Sequence, residues 1–418
     1  MQRRTTRLLS AGALAVAAAL ALSACSSGSG FSSGSSSSSK LTNGSGQINM
    51  LIGSSGPAET NAVKAAAAAW SKQSGVPVSV QNASSLDQQM AQGFASGKPA
   101  DVFYTSTAEM TGWAKNGSLL AYGDQLSNKN DFYSTLKSSF TYNGKFMCAP
   151  KDFSTLALFI NTADWKAAGL TDADIPKTWD QLATVSKKLT MDGRVGLTMS
   201  PQWERLGAFM AEAGGSLTNA SQTKATVNSA ANIKALDYVK QLQSAGSMKF
   251  SSDLGESWGG DAFGKNKAAM TVEGNWLTGA MSATYPNVSY KVVQMPTGPA
   301  GPGTLQFTNC WGIASQSKKQ ENALKLVEYL TTAKQQLQFA KAFGVMPSVK
   351  SAAAQWKQEY PQYAPFLDEV SSAQGVPTKA GTAAVISDFD QKLSSLSSTD
   401  PTTLLDGVQK NMAAALKQ

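Results

Sequence analysis

Residues 47–70 read QINMLIGSSGPAETNAVKAAAAAW and residues 101–117 read DVFYTSTAEMTGWAKNG. Gln47–Ile52 alternates side-chain polarity and stops at Gly53-Ser54-Ser55-Gly56-Pro57, the pattern of a strand running into a turn. Glu59–Lys72 is alanine-rich and helical, closed by Gly75 with Pro77 beyond it. Val76–Val80 and Asp101–Tyr104 read as further strands, Leu86–Ser96 and Glu109–Lys115 as helices, the last ended by Asn116-Gly117. Strands alternating with helices at this spacing imply a parallel sheet with crossover helices, hence an α/β fold. Ligands of such sheets bind beyond the carboxyl ends of the strands, here Gly53–Gly56 and Thr105–Thr107.

The pattern continues along the chain. Cys148–Ile160 is apolar and extended, and Thr178-Trp179-Asp180-Gln181 is a capping box opening a helix through Leu189. Val195–Thr198, Ala268–Val272, Tyr290–Val293 and Gln306–Ala314 read as extended segments. Glu204–Ala213, stopped by Gly214-Gly215, and Ser229–Ala245 read as helices. Ala323, Leu326, Val327 and Leu330 form one helical stripe, and Leu337–Phe343, Thr382–Leu396 and Thr402–Lys417 look helical too. No internal repeat is evident.

The front of the chain fixes where the protein works. Arg3, Arg4 and Arg7 precede an apolar run to Ala21, followed by Leu22-Ser23-Ala24-Cys25. A basic start, a short apolar stretch and small residues before a cut describe a secretory signal over 1–24, too short for a spanning helix. The four residues ending at Cys25 resemble the bacterial lipobox, whose cysteine receives a diacylglyceryl group; two acyl chains anchor a protein stably. Residues 26–46 are almost all Ser and Gly, a flexible tether with a reach of roughly 25 Å.

Composition removes most chemistries. Histidine is absent, so no Ser-His-Asp triad, Cys-His dyad or His metal ligand exists. No metal and no cofactor is expected, and any hydrolase would depend on carboxylates. The formal net charge of +8 is scattered without a basic, aromatic-interleaved run, which argues against nucleic acid as a partner. With Cys25 lipidated, Cys148 and Cys310 remain in an oxidising exterior, as one disulfide or as two buried thiols. About 370 residues beyond the tether suffice for two domains.

Several stretches, in this order, resemble the extracellular sugar-binding lipoproteins of ABC importers, the solute-binding family that includes maltodextrin-binding protein. They are Lys98-Pro99-Ala100-Asp101-Val102, Pro150-Lys151-Asp152-Phe153 running to Asn161, and Phe263–Met270 leading to Gly274-Asn275-Trp276. Asn309-Cys310-Trp311-Gly312-Ile313 and Gly344-Val345-Met346-Pro347 complete the set. The resemblance implies an α/β, two-lobed periplasmic-binding-protein-like fold (type II), with hinge strands between the lobes and sugar in the cleft. Carried over by position, lobe one is 47–152 plus 313–357 and lobe two 153–312 plus 358–418. The crossings are Phe153–Ile160, Phe307–Ala314 and a third near Lys357–Pro361. Cys148 and Cys310 then both sit beside the hinge. The implied protein is a monomeric, lipid-anchored receptor on the extracellular face of a Gram-positive cell membrane. It hands an oligosaccharide to ABC transporter permease subunits.

Sugars have polar edges and apolar C–H faces, so their sites combine aromatic platforms with fixed hydrogen-bonding groups. The resemblance places a stacking aromatic at Trp276 and another at Trp203, each with core packing as its alternative. Trp311 on a hinge strand faces cleft or core, and Trp258 between Ser257 and Gly259 is a further candidate. Asp152, beside Phe153 at the first crossing, is the leading carboxylate, able to accept from two hydroxyls; the alternative is a surface ion pair with Lys151. Ser54, Ser55, Thr105 and Ser106 occupy the strand ends, where plain turn chemistry competes. The family often has an acidic residue in those loops; here Ser and Thr stand instead. Glu204 and Glu273 are secondary candidates.

Two rival readings use the same residues. A surface glycoside hydrolase would draw two carboxylates from Asp152, Glu204 and Glu273, and the same fold could serve a peptide, polyamine or metal. Gly259–Asn266 nearly fits a phosphate-binding loop, but Asn266 replaces the required hydroxyl residue.

Overall fold

The computed structural model describes residues 40–54 and 56–417. The signal segment, Cys25, most of the tether and Ser55 lie outside the described residues. The described residues from Leu41 onward form one compact unit; of residues 1–40 only Lys40 is described, and it is exposed.

Three parallel strands open the fold: β1 (Ile48–Ile52), β2 (Val78–Asn82) and β3 (Val102–Ser106), with β1 in the middle. Helix Pro57–Ser74 carries β1 to β2, with Pro57 in its first turn and Gly75 in the left-handed conformation (φ 74°) at its end. A small hairpin, β4 (Thr141–Tyr142) and β5 (Lys145–Phe146), leads into the long strand β6 (Ala149–Asn161). Then come β7 (Val195–Met199), β8 (Met248–Phe250), β9 (Ala268–Gly274), β10 (Tyr290–Val293), β11 (Thr304–Ile313) and β12 (Ala373–Gly375). Among the described residues ten strands make one continuous sheet ordered β2-β1-β3-β11-β6-β9-β7-β8, with β10 on β6 and β12 on β11.

β6 and β11 belong to both halves of that sheet. The first part of β6 pairs antiparallel with β11, and β11 pairs onward with β3. The second part of β6 pairs with β9 and β10, and β9 lies parallel to β7. Side chains alternate across a strand, so β6 feeds two hydrophobic cores. Phe153, Ala157 and Phe159 join the core of Phe103, Trp113 and Leu326; Leu156, Leu158 and Ile160 join that of Phe209, Leu236 and Phe389. The disulfide forms between Cys148, just before β6, and Cys310 on β11, with Cα atoms 5.7 Å apart.

Two local expectations need correction. Composition extends the free tether to Gly46, but Thr42 and Gly44 dock on the body. Thr42 caps helix Gln320–Leu330 from 278 residues away: its Oγ1 accepts from Gln320 N at 3.3 Å, and its carbonyl accepts from Glu321 N at 3.1 Å. Gln320 returns the contact by accepting from Thr42 N at 3.1 Å, and Gly44 N donates to Lys318 O at 2.6 Å. The capping box at Thr178 is half made. Thr178 Oγ1 accepts from Gln181 N, but the Gln181 side chain accepts from Lys177 N at 2.7 Å. Sequence patterning also misses the helices Gly259–Gly264, over the phosphate-loop look-alike, and Trp276–Thr284.

Candidate functional site

Solvent reaches the two crossing strands at one place. Of the described residues on β6, Ser154 alone is not buried, and on β11 the partly exposed residues are Phe307, Thr308 and Asn309. Register pairs Phe307 with Ser154 and Asn309 with Asp152, so these four side chains share one face of the sheet. Sequence reasoning missed Ser154, Phe307 and Asn309, because the partial exposure of three residues inside apolar strands leaves no compositional mark.

Trp276 stands over this floor. It is 37% exposed, in contrast to the buried tryptophans of the cores, and its ring meets Phe307 edge to face. The indole packs close to the strand end: a Cβ on Gly274 would sit 2.2 Å from its Cζ3 atom, so a larger residue there would displace the ring. Trp276 Nε1 donates to Glu273 Oε2 at 3.0 Å, and Arg205 Nε and Nη2 donate to the same oxygen at 3.2 and 2.8 Å. The Arg205 guanidinium lies 5.2 Å from the Trp276 ring centroid. Glu273 is fully buried; burial pushes its pKa up, and Arg205 opposes that shift. It therefore orients Trp276 and Arg205 and is closed to a ligand, which corrects its expected role. With its N–H occupied, Trp276 offers an apolar ring surface.

Asp152 is also locked. Lys151 is the extra residue where the β6–β11 register shifts, and this turns its ammonium inward between Asp152 and Glu59. Lys151 Nζ to Glu59 Oε1 is 3.0 Å, Tyr104 OH donates to that oxygen at 2.9 Å, and Lys151 lies 4.6 Å from the Tyr104 ring centroid. Burial works to lower the Lys151 pKa, but the charges of Asp152 and Glu59 outweigh it and leave it raised. Burial raises Asp152 against the pull of Lys151. The ion pair weighed as the alternative for Asp152 is the one observed, buried rather than on the surface.

The strand ends of the first half divide by alternation. Thr105 is fully buried, its hydroxyl packed where a Cβ of Gly312 would lie 2.3 Å away, so it cannot meet a ligand. Ser106 is partly exposed and caps helix Thr107–Lys115, accepting from Glu109 N at 3.2 Å. Ser54 Oγ donates to Gly56 O at 2.6 Å and accepts from Gly56 N at 3.1 Å, which is turn chemistry. The acidic character expected in these loops comes instead from Asp87 and Glu109, each in the first turn of a helix that follows a strand. Burial raises both, and the charge of Asp87 raises Glu109 further.

The remaining candidates are packed. Trp203 (3% exposed) and Trp311 (1%) are core residues, Trp311 edge to face with Tyr104 at 5.0 Å. Phe153 is buried against Tyr133, with centroids 5.5 Å apart. Trp258 is partly buried against the first core as it opens helix Gly259–Gly264. Glu204 has one buried oxygen without a hydrogen-bond donor. It neighbours Asp390, whose pKa burial and the charge of Glu204 push up to about 7. Asp390 Oδ1 accepts from Trp203 N at 2.7 Å. Among the described residues no group of three or more Cys, Asp or Glu is arranged to hold a metal ion.

Comparison with known proteins agrees with this architecture. The family model described as bacterial extracellular solute-binding protein matches residues 65–365. The diacetylchitobiose binding protein DasA of Streptomyces coelicolor is 24% identical over 294 residues, 68% of each chain. The cyclic alpha-maltosyl-1,6-maltose binding protein of Arthrobacter globiformis superposes with a TM-score of 0.81 at 21% identity, covering 90% of this chain and 100% of that one. The GacH receptor of Streptomyces glaucescens, solved unliganded and with acarbose, gives 0.76 at 22% identity, covering 90% and 99%.

Proposed function

Since the chain belongs to the bacterial extracellular solute-binding proteins, a family of binding proteins rather than enzymes, we propose that it captures a carbohydrate, in particular an oligosaccharide. The observation that carries this reading is Trp276: an indole 37% exposed with its N–H already occupied, beside Phe307 and the polar edge of Ser154 and Asn309. A ring face accepts the C–H surface of a sugar, and neighbouring polar groups take its hydroxyls. The names of the similar proteins, which concern amino-sugar and glucose oligosaccharides, support the same class of ligand.

In this reading the halves of the sheet are lobes, 47–152 with 313–357 and 153–312 with 358–418, and β6 and β11 are the crossings. Ligand favours closure because it touches both lobes, and only differential affinity for the closed form shifts that equilibrium. Lipid on Cys25 holds the monomeric receptor at the outer face of a Gram-positive cell membrane, where the closed form docks on ABC permease subunits. Calorimetric titration of the protein from Lys40 onward tests the ligand class, with diacetylchitobiose, maltotetraose and a cyclic malto-oligosaccharide as probes and an amino-acid panel as control. Saturable binding of a sugar is expected. Binding of amino acids with none of sugars would overturn the reading.

A further inference from the structure

Between Glu273, which orients the Trp276 indole, and Trp276 itself stands Asn275, 3% exposed. Its carboxamide is used at both ends. Oδ1 accepts from Ser154 Oγ, on the partly exposed floor of β6, and Nδ2 donates to the carbonyl of Gly344 at 2.9 Å. The orientation of the amide follows from its partners: a carbonyl only accepts, so the NH₂ must face Gly344. The Asn275 carbonyl in turn accepts from Thr278 N at 3.1 Å and Thr278 Oγ1 at 2.7 Å, starting the helix that carries Trp276.

By the lobe bounds proposed above Gly344 falls in lobe one and Trp276 in lobe two, although Leu277 and Met281 of the Trp276 helix share the first core. Gly344 ends helix Ala333–Phe343 in the left-handed conformation (φ 77°), and that helix packs on Pro57–Ser74. Two residues on, Met346 and Phe153 exchange backbone hydrogen bonds at 3.2 Å in each direction. The segment Gly344–Met346 is thus fixed to the first half and to the β6 crossing, and Asn275 is where the Trp276 turn is pinned to it. The bond is part-buried: the Asn275 amide is enclosed, whereas Gly344 is exposed.

We propose that Asn275 is a positioning residue that couples the pose of Trp276 to the relative placement of the two lobes, through its bond to the Gly344 carbonyl. This rests on the ligand reading above for its functional consequence, but the coupling itself is a property of the ligand-free protein. Asn275→Asp keeps an acceptor for Ser154 and loses the donor to Gly344. Ser154→Ala removes only the other bond, and Asn275→Ala removes both.

The test is the distribution of inter-lobe distances by pulsed electron resonance, with spin labels on Lys64→Cys and Lys234→Cys, both exposed positions, and the native disulfide intact. In the ligand-free protein Asn275→Asp and Asn275→Ala should broaden the distribution, and Ser154→Ala should leave it near wild type. Titration with diacetylchitobiose and maltotetraose is expected to show affinity weakened about three- to tenfold by either Asn275 variant. Unchanged distances in both Asn275 variants would overturn the coupling, and broadening by Ser154→Ala alone would move the joint from Gly344 to β6. Should neither sugar bind wild type, the ligand reading fails while the ligand-free distances still decide this inference.

Discussion

The rings of Trp276 and Phe307 meet edge to face, with centroids 5.5 Å apart and planes at 74°. Phe307 lies on a crossing strand and Trp276 follows β9, so the contact fixes a surface ring against the region where the halves join. Trp276→Ala is expected to weaken sugar binding by about 1–3 kcal/mol through lost apolar burial. Its melting temperature should change little, because the ring is more than one third exposed. Calorimetry on the folded variant checks this; wild-type affinity for the bound sugar would rule the platform out.

Lys151→Met leaves the carboxylates of Glu59 and Asp152 facing a site that has lost its ammonium. Removing one partner from a buried charge cluster costs about 3–5 kcal/mol. Urea denaturation at pH 7 should show that loss, and repeating it near pH 5 should show a smaller one as the carboxyls take up protons.

Glu369 reports through pH. Burial pushes its pKa up to about 7, against hydrogen bonds from Met295 N and Ser372. The native state then holds a proton between about pH 4.5 and 7 that the unfolded chain has released. Stability must therefore fall as pH rises through that window and level off above it. Glu369→Gln keeps an acceptor for Met295 and removes the titration. Relative to wild type it should gain up to about 3 kcal/mol above pH 7 and nothing below pH 4.5. Parallel stability curves for the two proteins would refute the assignment.

The Cys148–Cys310 bridge closes a loop between residues 162 apart in sequence. In the chain-entropy treatment that is worth about 5 kcal/mol. Thermal unfolding with and without reductant, and of Cys148→Ala with Cys310→Ala, should show a large fall in melting temperature in both cases. A fall with reductant alone would point to an effect other than the crosslink.

Much of the architecture was legible because strand and helix patterns alternate cleanly from Ile48 to Lys115 and again beyond Cys148. The site was less so, for reasons of geometry. Thr105 and Ser106 are both small, polar and at a strand end, and only the pairing of β3 with β11 shows which one is buried. Residue type marks Trp203, Trp276 and Trp311 equally as platforms; only their packing shows that Trp276 reaches the surface while the other two are buried. The bulge that buries Lys151 and occupies Asp152 depends on β11, some 160 residues away, and no local pattern reports it. Asp87 and Glu109 went unremarked in the sequence, and their proximity is a tertiary fact.

Thr42 has a practical consequence for making the protein. A recombinant chain begun at Gln47, where the first strand pattern starts, would strip the amide nitrogens of Gln320 and Glu321 of their acceptors and free the end of a helix in the first core. Begun at Lys40, it would retain them. A helix cap is worth about 1 kcal/mol, so the shorter version should unfold a few degrees earlier. Where the chain is begun thus affects how well the protein survives heating.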